Sequence, residues 1–191
     1  MTRTATSTVG LGRCTRVTTR LLAADDWQDL RSARLAALSD SPHAFVATSA
    51  QEEGWEPEAW MARLARSDWA GAWDNDRIVG IACLSAPDPG EPKRPFVECV
   101  WVAPPHRRQG LVRKMLQELE GPARMAGATH LQLWVLDSNI EALHAYLKLD
   151  FHWVRERTQS LAKPDGSGSV QEHLMVRPLW WRRAASAESC G

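Results

Sequence analysis

The sequence predicts an α/β (α+β) fold with a central mixed, mostly antiparallel sheet of six to seven strands and helices on both faces. Short apolar segments rich in β-branched and aromatic residues alternate with longer segments whose apolar residues recur at helical spacing. The chain of 191 residues is long enough to bury a core without disulfides or metal ions. Because no repeat or linker divides it, we expect one domain at residues 14–179, between a flexible lead-in at 1–13 and a tail at 180–191.

Capping and turn residues separate the predicted elements of the N-terminal half. Asp25 or Asp26 would cap the first helix, and Pro57 suits the first turn of the second one. Asn75 and Asp76 favour the tight turn of a hairpin. The predicted elements are a strand at 17–22, a helix at 27–38, a loop or short helical piece at 39–54, a helix at 57–66, and hairpin strands at 69–73 and 78–85.

The C-terminal half alternates strands and helices. A proline-rich loop at 86–95 leads into an apolar strand, and an amphipathic helix follows Gly110. Asn139 would cap the next helix. The predicted elements are a strand at 96–102, a helix after residue 110, a strand at 131–135, a helix at 140–149, a strand at 151–157, a Gly/Ser turn at 164–169 and a final strand at 173–176.

The composition excludes several classes of protein. The 23 basic and 23 acidic residues give a net charge of zero, so nothing global indicates a nucleic acid or an anionic membrane as a partner. No apolar segment approaches the ~18 residues that a membrane span needs. Cys83 and Cys99 lie in apolar strands, and the cysteines show no metal-ligand spacing. We therefore expect a cytoplasmic protein with reduced core thiols and no metal site.

A basic loop between the strand at 96–102 and the following helix predicts an anion site. The first N–H groups of a helix have no partner within the helix and lie at the positive end of its dipole. Arg107, Arg108 and Arg113 add positive charge at this place. Gly110 lets the backbone approach a phosphate without a Cβ in the way. These features favour a phosphorylated cofactor.

The same loop carries Val102, Pro104, Arg107, Gly110 and Val112 at a distinctive spacing. This spacing resembles the pyrophosphate loop of the GNAT superfamily of acyl-CoA-dependent N-acyltransferases, which reads Val-x-Pro-x-x-Arg/Gln-x-x-Gly-x-Gly/Ala. Val112 departs from the pattern, since a small residue is usual at that position. A valine in the first helical turn still donates its N–H, so we expect a tighter or shifted diphosphate rather than a lost site.

A second segment continues the resemblance in order along the chain. Asn139, Ala142, Tyr146 and Phe151 resemble the family's Asn-x-x-Ala-x-x-x-Tyr-x-x-x-Gly-Phe signature. Asp150 stands where glycine is usual, and aspartate tolerates the left-handed conformation that a helix end often needs. The resemblance covers most of the predicted domain, and it implies the GNAT fold.

The resemblance also implies acetyl-CoA as the co-substrate and a set of residues that bind it. Backbone groups of a central strand would pair with the pantetheine arm, and the basic loop with the helix start would hold the diphosphate. The implied cofactor-binding residues are Val100, Trp101, Val102, Arg107, Arg108, Gln109, Gly110, Leu111, Val112, Arg113 and Asn139. For Asn139 a plain N-cap is an alternative to the cofactor contact, and the two are compatible.

Tyr146 and Glu98 are the candidate catalytic residues. Transfer to an amine needs a base for the ammonium proton and an acid for the leaving thiolate. Tyr146, the single tyrosine of the chain, lies two turns after Asn139 on the same helix face, and the resemblance assigns it the proton for the CoA sulfur. Glu98 lies in an apolar strand, where a carboxylate is costly unless it is paired or used. It is the candidate base, and the alternative is an outward-facing or ion-paired glutamate.

The expected acceptor is a primary amine of a small molecule, which attacks the thioester directly in a ternary complex. Trp134 stands where some protein-N-terminal acetylating relatives carry a glutamate, which argues mildly against a peptide acceptor. One alternative is a protein N-terminal or lysine acetyltransferase, and another, suggested by Val112, is a non-catalytic CoA-sensing or partner-binding module. Carboxylates at residues 40–58 favour a cationic amine if they line the cleft, and otherwise form a solvated acidic loop. Dimers are common in the family, so a homodimer is a further expectation.

Overall fold

A computed structural model describes residues 17–45, 47–85, 95–162 and 168–179 of the chain. The predicted lead-in at 1–13 and the predicted tail at 180–191 lie outside the described residues. Most of the predicted proline-rich loop and of the predicted Gly/Ser turn also lies outside them. The division into a lead-in, one domain and a tail therefore stays a prediction.

The described chain contains seven strands and five α-helices. The helices are α1 (Trp27–Asp40), α2 (Ser49–Glu53), α3 (Pro57–Arg66), α4 (Leu111–Met125) and α5 (Ile140–Leu147). The strands are β1 (Thr18–Leu21), β2 (Ser67–Asp74), β3 (Arg77–Ser85), β4 (Phe96–Val102), β5 (His130–Leu136), β6 (His152–Ala162) and β7 (Ser169–Pro178). A short 3₁₀ turn precedes α1, and another follows β4.

The strands form one sheet in the order β1-β2-β3-β4-β5-β7-β6. Every neighbouring pair is antiparallel except β4 and β5, which are parallel. Parallel neighbours need a crossover that returns the chain to the same end of the sheet, and α4 provides it. The predicted mixed, mostly antiparallel sheet is thereby confirmed with seven strands.

Helices cover both faces of the sheet, as predicted, and each face has its own apolar core. On one face α4 and α5 pack over the sheet, where Met115, Leu119 and Phe151 are fully buried. On the other face α1 and α3 bury Leu30 and Trp60. Because both faces are covered, the central strands β3 and β5 are apolar along most of their length.

The strand β6 extends beyond its predicted end. Its last residues are largely polar and lack the alternating apolar pattern on which the prediction depended. They pair with β7 from Thr158 opposite His173 to Ala162 opposite Ser169. Backbone hydrogen bonds to a neighbouring strand therefore set the length of this edge strand, and local sequence does not reveal them.

Candidate active site

The parallel strands β4 and β5 separate soon after they meet. Their register contains one paired position, Phe96 opposite Gln132. Beyond Phe96, β4 stays paired with β3 along one edge, whereas its edge toward β5 has no strand partner among the described residues. An unpaired strand edge presents N–H and C=O groups that a ligand can use. The gap between β4 and β5 is thus open to an extended molecule that pairs with β4.

A β-bulge in β4 accompanies this separation. Two β4 residues, Cys99 and Val100, stand opposite the single residue Ala82 of β3. Cys99 has a φ of 54°, in the left-handed region that few residues other than glycine adopt. Its thiol is free and only half-buried, whereas a core thiol was predicted. The bulge bends the strand and places a strained residue next to the open edge.

Six consecutive backbone N–H groups, from Arg108 to Arg113, make no hydrogen bond within the described part of the chain. The first bond of α4 runs from the N–H of Lys114 to the C=O of Gly110. The preceding N–H groups therefore project from the start of the helix, at the positive end of its dipole. The cluster of unpaired donors expected from the sequence is present, and it can donate to several phosphate oxygens at once.

Two left-handed residues shape the loop before α4. Arg108 has a φ of 63° and Gly110 a φ of 74°. A Cβ on Gly110 would have no atom within 4 Å, so the space beside the loop is open. Such turns gather backbone N–H groups around a concavity that suits an anion. Gly110 thus supplies a backbone conformation and leaves room for a diphosphate.

The three arginines expected around the anion have different partners. The Nε of Arg107 donates to the C=O of Val102 at 2.9 Å, and its guanidinium pairs with Asp40 at the end of α1. Arg113 donates to a backbone carbonyl just after α5, at 3.1 Å. Arg108 is exposed, and the described residues include no ion-pair or hydrogen-bond partner for its side chain. Arg107 therefore holds the loop against α1, whereas Arg108 is available to an anion.

The other side chains at the start of α4 leave the N–H groups accessible. Leu111 is buried, and Val112 packs half-buried against the same core. Gln109 donates to the C=O of Pro105 at 3.3 Å. The branched side chain of Val112 thus lies in an apolar environment, and the backbone N–H of Val112 stays at the helix start. The departure from the usual small residue leaves the donors of the anion site in place.

Tyr146 lies on α5 and is part of the core beside the gap. Its ring is 9% exposed and packs edge-on against Phe151, with ring centroids 5.6 Å apart. Burial, and to a smaller extent the Cys99 thiol nearby, raises the pKa of its hydroxyl far above the ordinary tyrosine value. Tyr146 therefore stays protonated throughout the neutral range. It can act as an acid or a hydrogen-bond donor, but not as a base.

The two ends of α5 follow the capping chemistry expected from the sequence. The Oδ1 of Asn139 accepts the N–H of Ala142 at 3.1 Å, which confirms the N-cap. Asp150 has a φ of 64°, and the N–H of Phe151 bonds to the C=O of Tyr146 at 3.0 Å. These caps hold Tyr146 in place beside the gap. The cofactor contact implied for Asn139 stays a prediction.

Glu98 is exposed, which agrees with the outward-facing alternative, and its role as the base stays a prediction. The side chain precedes the bulge, where β4 still alternates regularly, and it shares a face with Phe96. Phe96 stacks on Trp134 of β5, with ring centroids 6.4 Å and planes 20° apart. Both rings are half-buried. An aromatic surface and a solvent-exposed carboxylate thus lie where β4 and β5 separate.

A buried ion-pair network beside the bulge was not predicted. Glu52 is 3% exposed, and it accepts hydrogen bonds from the Nε and Nη2 of Arg34 at 2.9 and 2.8 Å. Arg63 pairs with the same carboxylate at 3.0 Å. Burial by itself would raise the pKa of Glu52, but the two arginines more than offset it and lower the pKa below its ordinary value. The three residues lie on three helices, so no spacing in the sequence indicates the network.

Glu52→Gln is expected to lower the free energy of unfolding by about 3–5 kcal/mol, because it leaves the buried charge of Arg34 without a carboxylate. Glu53→Gln changes an exposed neighbour and should lower the free energy of unfolding by less than about 0.5 kcal/mol. Urea unfolding of both variants is the measurement. The pKa of Glu52 is lower in the folded state than in the unfolded chain, so its carboxylate stabilises the fold fully above the ordinary glutamate pKa. This stabilisation is lost as the pH falls through the folded-state pKa. Equal costs for the two variants at neutral pH would contradict this expectation.

The family model of the acetyltransferase (GNAT) family matches residues 27–151, from the start of α1 to just beyond α5. The chain belongs to the GNAT acetyltransferase family. Solved GNAT structures share its fold. An acetyltransferase from Streptococcus pneumoniae is 20% identical and superposes with a TM-score of 0.65 over 85% of this chain and 99% of that chain. A putative acetyltransferase from Salmonella typhimurium, solved with its cofactor acetyl-CoA, is 17% identical, with a TM-score of 0.67 over 90% of this chain and 99% of that one.

A streptothricin acetyltransferase from Streptomyces lavendulae is 39% identical to this GNAT chain over 87 residues, which are 46% of the chain and 44% of that protein. The match thus spans less than half of that relative. GNAT acetyltransferases use acetyl-CoA, so the predicted enzyme class and cofactor are confirmed at the level of the family. Within the described residues no helix has the length and apolarity to cross a membrane. The cytoplasmic location stays a prediction.

Proposed function

We propose that this GNAT protein transfers an acetyl group from acetyl-CoA to the primary amine of a small molecule, which attacks directly in a ternary complex. The observation that carries the proposal is the open edge of β4. The unpaired N–H groups before α4 lie at one end of this edge, and Tyr146 lies beside it. One extended cofactor would use all three features.

The residues at the gap fit acetyl-CoA. The backbone N–H groups from Arg108 to Arg113 would hold the diphosphate, and the Arg108 side chain would add positive charge. Val100 would offer backbone groups to the pantetheine arm, because those of Trp101 face Ile81 of β3 and the C=O of Val102 already accepts the Nε–H of Arg107. When bound, acetyl-CoA supplies an activated thioester whose carbonyl carbon is open to attack by an amine.

Two side chains would then move protons. Glu98 would take a proton from the acceptor ammonium, directly or through a water molecule, so that the neutral amine nitrogen can form the new C–N bond. The Oη of Tyr146 would donate its proton to the sulfur as the C–S bond breaks. A thiolate with a pKa near 8.5 needs only modest assistance to leave.

The surroundings of the gap favour a small acceptor. The stacked Phe96 and Trp134 offer an apolar surface beside Glu98, and an aromatic face also attracts a cation. The partial similarity to a streptothricin acetyltransferase supports a small-molecule amine. The acidic loop contributes less than expected, because Glu52 is neutralised by two arginines and Asp40 by one. The other carboxylates of this loop, Glu53, Glu56 and Glu58, are exposed.

Glu98→Gln is expected to lower kcat/KM by about ten- to a hundredfold at neutral pH, because the amide cannot accept the ammonium proton. The loss should shrink above the pKa of the acceptor, where the amine is already neutral. A pH–rate profile of the variant, compared with that of the wild type, is the measurement. Glu141→Gln, at an exposed position of α5, is the matched control and should leave the profile unchanged. A Glu98→Gln profile that superposes on that of the wild type would exclude Glu98 as the base.

The proposed function is tested by calorimetric titration with acetyl-CoA, with desulfo-CoA as a control, followed by mass spectrometry of a panel of amines. Micromolar binding together with acetylation of a small amine is the expected result. Acetylation confined to peptide N-termini or lysines would overturn the small-molecule assignment in favour of a protein acetyltransferase. Absence of binding would indicate a non-catalytic module. Sedimentation of the same sample tests the predicted homodimer.

A further inference from the structure

The bulge of β4 holds a residue in a conformation that its side chain disfavours. Cys99 has a φ of 54°, which glycine adopts without penalty and which a Cβ resists. Such a residue persists where its surroundings determine its position. The bulge begins where β4 leaves β5, so a change in Cys99 would move the edge that the cofactor is proposed to use.

Arg63 contacts the strained residue directly. Its Nη2 lies 3.8 Å from the Sγ of Cys99, within hydrogen-bond distance for a sulfur acceptor. The guanidinium reaches from α3, on the face of the sheet opposite α4 and α5. Arg63 is therefore a link between the helices of that face and the backbone of the bulge.

Arg63 is itself held on several sides. Its Nη1 pairs with the Oε2 of Glu52 at 3.0 Å, and Arg34 holds that carboxylate with two further donors. The guanidinium carbon lies 5.3 Å from the ring of Trp55 and 5.4 Å from the ring of Trp69. An ion pair with Glu52 alone would leave the guanidinium free to rotate about its long side chain. The two rings and the carboxylate together fix the direction of the N–H that meets the sulfur.

We propose that Arg63 is a positioning residue for acetyl transfer, which holds Cys99 in the bulge and thereby keeps the edge of β4 open to acetyl-CoA. The inference rests on the proposed function, because it assumes that the cofactor pairs with this edge. It adds a role for the buried network of Glu52 and Arg34, which otherwise has no connection with the gap. Arg63 acts through Cys99 and touches neither reacting group.

A double-mutant cycle tests this role. Arg63→Met keeps the aliphatic stem and removes the donors, so acetyl-CoA affinity should fall about tenfold. Cys99→Gly removes the sulfur and the strain together and should change the affinity by less than about threefold. In the Cys99→Gly background, Arg63→Met should then lower acetyl-CoA affinity by less than about threefold, because glycine adopts the left-handed conformation without support from Arg63. Equal losses in the two backgrounds, or no loss in either, would overturn the proposal.

Two further variants separate positioning from general destabilisation. Cys99→Ala keeps the Cβ and the Arg63–Glu52 pair but removes the sulfur acceptor, and it should weaken binding as Arg63→Met does. Arg20→Met is the matched control, since Arg20 also pairs with a carboxylate, Asp26, and lies 4.0 Å from the ring centroid of Trp73, on a strand away from the gap. Its acetyl-CoA affinity should equal that of the wild type. A Cys99→Ala protein with wild-type affinity would contradict the role of the sulfur contact.

Amide hydrogen exchange of the Phe96–Val102 segment tests the inference independently of any cofactor. Arg63→Met should accelerate exchange in this segment by about tenfold, while Arg20→Met leaves it unchanged. Unchanged exchange after Arg63→Met would overturn the proposal even if acetyl-CoA binds. Accelerated exchange in a protein that fails to bind acetyl-CoA would instead support the link to the bulge and refute the proposed function.

Discussion

Tyr146→Phe is expected to lower kcat by one to three orders of magnitude while acetyl-CoA affinity stays within about threefold of that of the wild type. The substitution removes only the hydroxyl, so the proton for the leaving sulfur is lost. The ring keeps its packing against Phe151 and the core, and binding and stability should persist. Steady-state kinetics give kcat, and calorimetry gives the affinity.

The high pKa of the Tyr146 hydroxyl adds a pH dependence to this prediction. Because burial raises that pKa far above the ordinary value, the hydroxyl stays protonated across the neutral and mildly alkaline range. The wild-type rate should therefore show no decrease from tyrosine ionisation at mildly alkaline pH. His144→Ala, at an exposed position of the same helix, is the control and should retain the wild-type kcat. An unaltered kcat in Tyr146→Phe would remove this residue from the mechanism.

Gly110→Asp is expected to weaken acetyl-CoA binding by at least about a hundredfold. Aspartate tolerates the left-handed conformation that Gly110 adopts, and no atom lies within 4 Å of the new Cβ, so the loop should keep its shape. A carboxylate about 6 Å from a phosphate, at an effective dielectric of about 20, opposes binding by roughly 3 kcal/mol, which corresponds to about a hundredfold in affinity. Calorimetric titration with acetyl-CoA is the measurement.

Gly110→Asn is the matched control for this charge effect. Asparagine has nearly the shape of aspartate and the same tolerance of a left-handed backbone, but it carries no charge. It should weaken acetyl-CoA binding by less than about tenfold, and the difference between the two variants should shrink as the salt concentration rises. Equal affinities for the two variants would show that no diphosphate lies beside this loop.

The chemistry that lies close together in the sequence could be predicted from the sequence. The basic loop, Gly110 and the first turn of α4 lie within one short segment, and the rules for helix starts depend only on neighbouring residues. The same holds for α5, where the predicted cap at Asn139 and the left-handed Asp150 are both confirmed. Local hydrogen bonds and backbone conformations are properties of a few adjacent residues. For that reason the anion site was recognisable from local chemistry, whereas the role of Tyr146 came from its place in a signature that resembles that of the family.

Contacts between distant segments could not be predicted in this way. The cofactor contact of Arg107 stays a prediction, but its partner Asp40, which is 67 positions away along the chain, could not be foreseen. The apolar strand around Glu98 left open whether its side chain faces inward or outward, and the orientation of β4 in the sheet exposes it. The partner of a charged side chain depends on which element packs beside it. Spacing along the chain does not indicate which element that is.

Local sequence was enough to predict the order of the elements, the anion-binding character of the start of α4 and the capped helix that carries Tyr146. Each of these follows from periodicity, capping and backbone preference within a few residues. Three features became visible only in the folded chain. The strands β4 and β5 meet at Phe96 and Gln132 and then diverge, and Cys99 forms the bulge. Arg34, Glu52 and Arg63 converge beside it. These features depend on how helices and strands from both halves of the chain pack, because burial of a charge or an open strand edge exists only once the neighbouring elements are in place.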